Sequence, residues 1–204
     1  MAKNHDIEGE IYAHHGHDGS VDSFYTKRET GVEIFKDYKY GYICLMDGKV
    51  QSATSDEEIY HDHLAGLGFS PRLRDRDPER VLIVGSGEGC LAREVLRNPN
   101  VKEVVMVDWD ADVIEAFRTR WCIWAGKSTW EDPRLRVEIA DIWELLDRMD
   151  EGAIWKFDCI LVDLFDPGRE AEDVERWEKL MTGLSKWLNV GGSFAAYCGK
   201  AGVS

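Results

Sequence analysis

The stretch VLIVGSGEGCLAREVLRNPNVKEVVMVDWD, residues 81–110, decides the fold. Residues 81–84 form an unbroken apolar run, as a strand buried on both faces requires. The run enters Gly85-Ser86-Gly87-Glu88-Gly89, and residues 89–97 read as a helix that stops before Asn98-Pro99. A second apolar run follows at residues 103–107 and ends at Asp108. Strand, glycine turn, helix and strand in that order predict a βαβ unit with parallel strands.

The alternation continues downstream. Residues 111–120 read as a helix, 134–139 as a strand, and 141–149 as a helix. Residues 158–162 follow as a strand, 174–188 as a helix, and 193–198 as a fifth strand after Gly191-Gly192. Strands alternating with helices imply an α/β fold with a doubly wound, mostly parallel sheet. Upstream, residues 32–51 read as short strands, with Asp47-Gly48 as a two-residue hairpin turn. A helix is expected next, with Ser55 and Glu58 as its capping box and Ile59, Leu64 and Leu67 as its apolar stripe. Residues 1–30 are polar and rich in His and Gly, and read as a mobile tail. His14, His15 and His17 have no apolar framework to fix them as metal ligands. The expected organisation is therefore a tail over 1–30, a β-hairpin and helix over 31–70, and a Rossmann-like domain over 71–204.

The formal charge is −14, from 25 Lys and Arg against 39 Asp and Glu. Nucleic acid is held by basic patches, so it is not expected as a partner. An acidic field attracts small polycations, although many proteins are acidic for solubility alone. The five cysteines, Cys44, Cys90, Cys122, Cys159 and Cys198, include no CxxC pair and suit buried thiols in a reducing cytoplasm. No apolar run approaches the roughly 20 residues of a membrane span, and the start lacks a signal-peptide core.

The candidate site lies at the carboxyl ends of the strands, where open α/β sheets bind ligands. Gly85 and Gly87 allow a close backbone approach, or are simply a tight turn. Asp108 is placed to grip ribose hydroxyls, or to cap the next helix. The third glycine of a dinucleotide fingerprint is absent, which favours a mononucleoside. Asp163 and Asp166 follow the fourth strand and pair two carboxylates, suited to a substrate amine that must lose a proton. Their alternative is one helix cap and one loop acid. Asp141 is placed to accept from an adenine amino group, or to cap a helix.

Five ordered stretches carry a resemblance: 47–64, 81–110, 132–135, 157–167 and 191–202. Together they resemble the spermidine synthases, and the GEG form with AREVLR is most similar to the thermospermine synthase branch of the aminopropyltransferases. The resemblance implies a Rossmann-like fold of the S-adenosylmethionine-dependent methyltransferase type. It implies aminopropyl transfer from decarboxylated S-adenosylmethionine, as co-substrate, to a polyamine, with no resident cofactor and no metal. It implies a homo-oligomer as well, and no membrane partner. Asp163 aligns with the general base, Asp166 with a polyamine-binding carboxylate, and Tyr60 with the tyrosine lining the acceptor pocket. Gln51, His61, Glu88, Asp108 and Asp141 match contacts to the adenosyl donor. The alternative for Tyr60 is a core residue, and for His61 an exposed helical residue.

Leu164 and Phe165 stand where spermidine synthases carry small polar residues, and Gly168-Arg169-Glu170 shortens the usual glycine-proline stretch. Both leave the acceptor amine open. Family members continue with further C-terminal strands that this sequence lacks, and either a short relative or a fragment is expected. Two other readings fit the motifs. One is a methyltransferase using intact S-adenosylmethionine, although Ile83 stands where many of those have an acid. The other is a relative that binds nucleoside or polyamine without turnover.

Overall fold

The computed structural model describes residues 19–72, 76–149, 155–164 and 171–197. His14, His15, His17, Asp166 and Cys198 therefore lie outside the described residues. The chain divides into two compact units, Met1–Tyr60 and His61–Ser204. The division falls inside a helix, ten residues before the boundary expected at residue 70.

The first unit holds four antiparallel strands in the order β1-β2-β3-β4: β1 Ser20–Tyr25, β2 Gly31–Asp37, β3 Gly41–Met46 and β4 Lys49–Ala53. Strand β1 corrects the expected tail, because residues 20–25 pair with β2. Its sequence, SVDSFY, is too polar to read as a strand alone, yet an edge strand tolerates such residues. Asp47 and Gly48 have φ of 49° and 75°, the left-handed pair that a tight hairpin needs. Phe35, Ile43, Leu45 and Ala53 form the buried cluster of this sheet.

Helix α1, Glu57–Gly68, departs from expectation at its start and on its face. The Tyr60 N–H donates to the Asp56 carbonyl at 3.2 Å, which makes Asp56 the first capping residue in place of Ser55. Ile59 and Leu67 are exposed, and only Leu64 of the expected stripe is buried. Within the second unit the buried face is His61, Leu64, Ala65 and Gly68, at i, i+3, i+4 and i+7. A histidine and a glycine at inward positions hide that face from a hydrophobicity reading.

The second unit follows the predicted alternation with two departures, a short helix α4 that was not expected and a last strand that begins at Leu188 and runs through Gly191-Gly192 where it was expected only from residue 193: β5 Arg80–Gly85, α2 Cys90–Leu96, β6 Glu103–Asp108, α3 Ala111–Thr119, α4 Lys127–Trp130, β7 Leu135–Ile139, α5 Ile142–Met149, β8 Phe157–Asp163, α6 Ala171–Ser185 and β9 Leu188–Ala196. The five strands are parallel in the order β7-β6-β5-β8-β9. Chain order thus reverses between β5 and β8, and a crevice opens at their carboxyl ends. On one sheet face Leu82, Val84, Val105, Val107, Ile160 and Val162 pack against Leu145 and Leu146 of α5 and Leu180 and Leu184 of α6. On the other, a Cβ at Gly68 would meet Leu161 Cδ2 at 2.5 Å and Cys159 Sγ at 2.8 Å, so the end of α1 lies directly on β8. The Ser193 hydroxyl in β9 donates to the Gly68 carbonyl at 2.5 Å and pins this approach.

Cys44, Cys90 and Cys159 are buried and Cys122 is half-buried. Among the described residues no helix is long and apolar enough to cross a membrane.

Candidate active site

The site forms at the carboxyl ends of β5, β8 and β6. Gly85 and Asp163 are register partners in the β5–β8 ladder. With φ of 88°, Gly85 lets the chain leave the strand sharply, and a Cβ there would run into the Asp163 carbonyl. The turn is then fixed by hydrogen bonds. The Ser86 N–H donates to the Asp163 carbonyl at 3.1 Å, and the Gly89 N–H to the Ser86 carbonyl at 2.8 Å. The Leu91 N–H at the start of α2 reaches the Ser86 hydroxyl oxygen at 3.4 Å. Ser86 itself has φ of 62°, a strained value for a side chain other than glycine. Glu88 is thereby left at the apex.

His61 joins the two strand tips. It is 2% exposed, with Nε2 3.2 Å from Glu88 Oε1 and 3.5 Å from Asp163 Oδ2. The alternative of an exposed helical histidine is excluded. One atom from each of His61, Glu88 and Asp163 falls within 4.8 Å of the others, close enough to share a single cation. Two carboxylates converging in a half-buried notch favour a positive guest, because each destabilises the other's charge and a cation relieves both.

Asp108 lies at the tip of β6. A Cβ on Gly87 would be 3.0 Å from its Oδ2, so the carboxylate faces the bare backbone of the turn. Burial, together with the nearby Glu88 charge, pushes its pKa up to about 6, although the Asp110 N–H bonds its Oδ1 at 3.0 Å and works the other way. The cap of α3 is Asp110, whose side chain accepts from the Asp112 and Val113 N–H groups. Asp108 is not that cap. The Asp108 carbonyl accepts the Ala140 N–H at 2.9 Å, which brings Asp141 to the neighbouring tip. Asp141 does cap its helix: its Oδ1 takes the Trp143 N–H at 2.8 Å.

Gln51 is exposed on β4 and donates to the Lys49 carbonyl at 3.3 Å; Tyr60 is half-buried in α1. Both belong to the first unit. The ring of Trp130, one of three tryptophans at 121, 124 and 130, packs against Gly89. Trp124 and Trp130 are buried, and Trp121 is half-buried.

The chain is similar to known proteins over most of its length. The chain is 31% identical over 192 residues to the polyamine aminopropyltransferases of Sodalis glossinidius and Serratia proteamaculans. In each case 93% of this chain is matched against 64% of the relative, so it spans less than two thirds of their length. A crystal structure of spermidine synthase in complex with the transition state analogue AdoDATO superposes with a TM-score of 0.74 at 27% identity, covering 87% of this chain and 57% of that one. The spermidine synthase of Thermotoga maritima gives 0.71 at 26% identity, over 87% of this chain and 55% of that one. The model of the spermine/spermidine synthase domain matches residues 57–200, most of the second unit with the helix that leads into it, and the chain belongs to that family.

Proposed function

We propose that this protein transfers an aminopropyl group from decarboxylated S-adenosylmethionine to an amine acceptor and releases methylthioadenosine. The observation that carries this reading is the convergence of Glu88 and Asp163 on His61 Nε2, beside the glycine turn at the β5–β8 reversal. The donor offers an adenosyl group for the turn and a cationic arm for the acidic notch.

In this reading Asp108 holds the ribose, Asp141 lies by the adenine, and Glu88 faces the ammonium of the aminopropyl arm. The acceptor nitrogen attacks the arm's carbon next to the sulfonium. The new C–N bond forms as the C–S bond breaks, and the sulfonium's positive charge is quenched as the electron pair returns to sulfur. The attacking amine must first be neutral, whereas alkylamines are protonated at pH 7. Asp163 accepts that proton, a general-base role worth on the order of 10²–10⁴-fold. Holding both reactants in line supplies much of the remaining acceleration. Sulfonium is a good leaving group, so these residues need only bind, orient and remove a proton. By resemblance to the family, Gln51 and His61 are assigned to the donor, and Tyr60 and Asp166 to the acceptor.

The test is methylthioadenosine release by the full-length gene product against putrescine, spermidine, agmatine and other amines. Release with one or more amines is expected. Tighter calorimetric binding of intact S-adenosylmethionine than of its decarboxylated form overturns the reading in favour of methyl transfer. Binding without release under every condition overturns it in favour of a non-catalytic relative.

A further inference from the structure

We propose that Trp130 is a positioning residue: its indole backs the turn at Gly89 and thereby fixes where Glu88 points, an inference that rests on the nucleoside-site reading above. Glu88 sits between two glycines, and each has a neighbour pressed against its bare side. At Gly87 that neighbour is the Asp108 carboxylate. At Gly89 it is Trp130, and a Cβ there would lie 2.5 Å from Cζ2, 2.9 Å from Cη2 and 3.0 Å from Cε2. The six-membered ring of the indole therefore fills the place a side chain would occupy. Gly89 has φ of 80° and offers α2 no capping side chain of its own, so the packing of Trp130 adds to the hydrogen bonds that Ser86 makes with the turn.

The segment that carries the ring is itself well held. Trp130 is 9% exposed. The neighbouring Thr129 hydroxyl donates to the Ala125 carbonyl at 2.6 Å, and Arg93 Nη1 in α2 donates to the Trp124 carbonyl at 2.5 Å. Trp124 meets Phe117 edge-on at 5.2 Å between ring centroids, and Trp121 at 6.2 Å. Arg93 also bonds Glu94, which is buried, so the segment carrying the tryptophans is tied back to the helix that the turn begins. Trp130 Nε1 has no hydrogen-bond partner among the described residues, so the indole serves there as a flat apolar slab. A slab can be replaced by another ring, whereas a hydrogen-bonding role cannot.

Trp130→Ala removes the wall, Trp130→Phe keeps a ring, and Trp121→Ala softens the same aromatic cluster without touching Gly89. Methylthioadenosine is the probe by calorimetry, the donor KM is measured beside kcat, and hydrogen exchange is followed at the Gly89 and Leu91 amides, both bonded to Ser86. Trp130→Ala is expected to weaken nucleoside affinity and raise the donor KM on the order of 10- to 100-fold, as for a small misplacement of a binding group. Its Gly89 and Leu91 amides should exchange faster. Trp130→Phe should restore binding to near the wild-type value, and Trp121→Ala should leave both affinity and exchange unchanged. Trp130→Leu replaces the alanine variant if the latter does not fold. Unchanged exchange and affinity in the alanine or leucine variant overturn the proposal, as does equal weakening by Trp121→Ala. If the wild type binds no methylthioadenosine, the functional reading fails by itself. The exchange of the two amides then still decides whether Trp130 holds the turn.

Discussion

Asp163 contributes to the candidate site through two different atoms: its carbonyl oxygen takes the Ser86 N–H at 3.1 Å, and its carboxylate lies 3.5 Å from His61 Nε2. The backbone of one residue thus shapes the glycine turn while its side chain faces the acidic notch. Its register partner, Gly85, makes this possible by leaving the Asp163 carbonyl unobstructed. Donor turn and proposed base are locked together by one rung of the parallel ladder.

That separation makes Asp163→Asn a clean test. The hydrogen bond that supports the turn comes from the backbone and survives the substitution. Turnover is expected to fall by about 10²- to 10⁴-fold, the usual worth of a general base. Thermal unfolding should change little, and methylthioadenosine should still bind. A folded variant with full methylthioadenosine release removes Asp163 from the chemistry.

His61 is expected to matter for both folding and turnover. Its imidazole is buried and faces two carboxylates, so His61→Ala leaves a cavity and two acids with no group between them. Such losses cost on the order of 2–4 kcal/mol. The measurement is urea unfolding of both proteins at one pH, with product release followed in parallel. A variant as stable as the wild type contradicts the buried arrangement.

The strand and helix order of the second unit was legible because a doubly wound sheet buries its strands on both faces. The runs at 81–84, 103–107 and 158–162 are nearly pure apolar stretches, and Gly and Pro punctuate them. The first unit was less legible. Strand β1 carries Ser, Asp and Ser, and its pairing with β2 is a tertiary fact that no local pattern contains. For the site, residue type and position at a strand tip marked Glu88, Asp108 and Asp163, but not which tips are neighbours. The adjacency of 85 and 163 follows from the order β6-β5-β8, which a sequence leaves among several possibilities. Asp108 and Asp141 show the same limit. Each left a helix cap open beside a ligand contact, and only the structure assigned the caps to Asp110 and Asp141.

The raised pKa of Asp108, about 6, makes a signed prediction. The folded state holds the Asp108 proton more tightly than the unfolded chain, whose carboxyl titrates near its ordinary value of 3.8. Between pH 3.8 and about 6 the unfolded state therefore binds fewer protons at this group, and stability falls as pH rises. The penalty is absent below that window and complete above it. Asp108→Asn keeps an oxygen for the Asp110 N–H and removes the titration. The variant's advantage over wild type in unfolding free energy should be larger at pH 7.5 than at pH 4. A difference independent of pH shows that burial does not hold the acid protonated.

Gly68 offers a way to move His61 without touching it. Helix α1 rests on β8 through Gly68, and an added Cβ would lie 2.5 Å from Leu161 Cδ2 and 2.8 Å from Cys159 Sγ. The Ser193 hydroxyl holds the same point from β9, so the helix cannot slide aside without losing that bond. Gly68→Ala must therefore push α1 outward by some fraction of an ångström, at a cost of about 1–3 kcal/mol for overpacking. Ordinary helix propensity acts the other way, since alanine is favoured over glycine by roughly 1 kcal/mol in a helix interior. Two turns earlier on the same face sits His61, so the displacement reaches the notch and loosens its approach to Glu88 and Asp163. The expected outcome is a lowered melting temperature together with a reduced kcat/KM. Gly66→Ala is the control, because a Cβ at Gly66 meets nothing within 4 Å and gains only the propensity. If Gly68→Ala behaves like Gly66→Ala in both measurements, the close seat of α1 on β8 is not what sets the depth of His61.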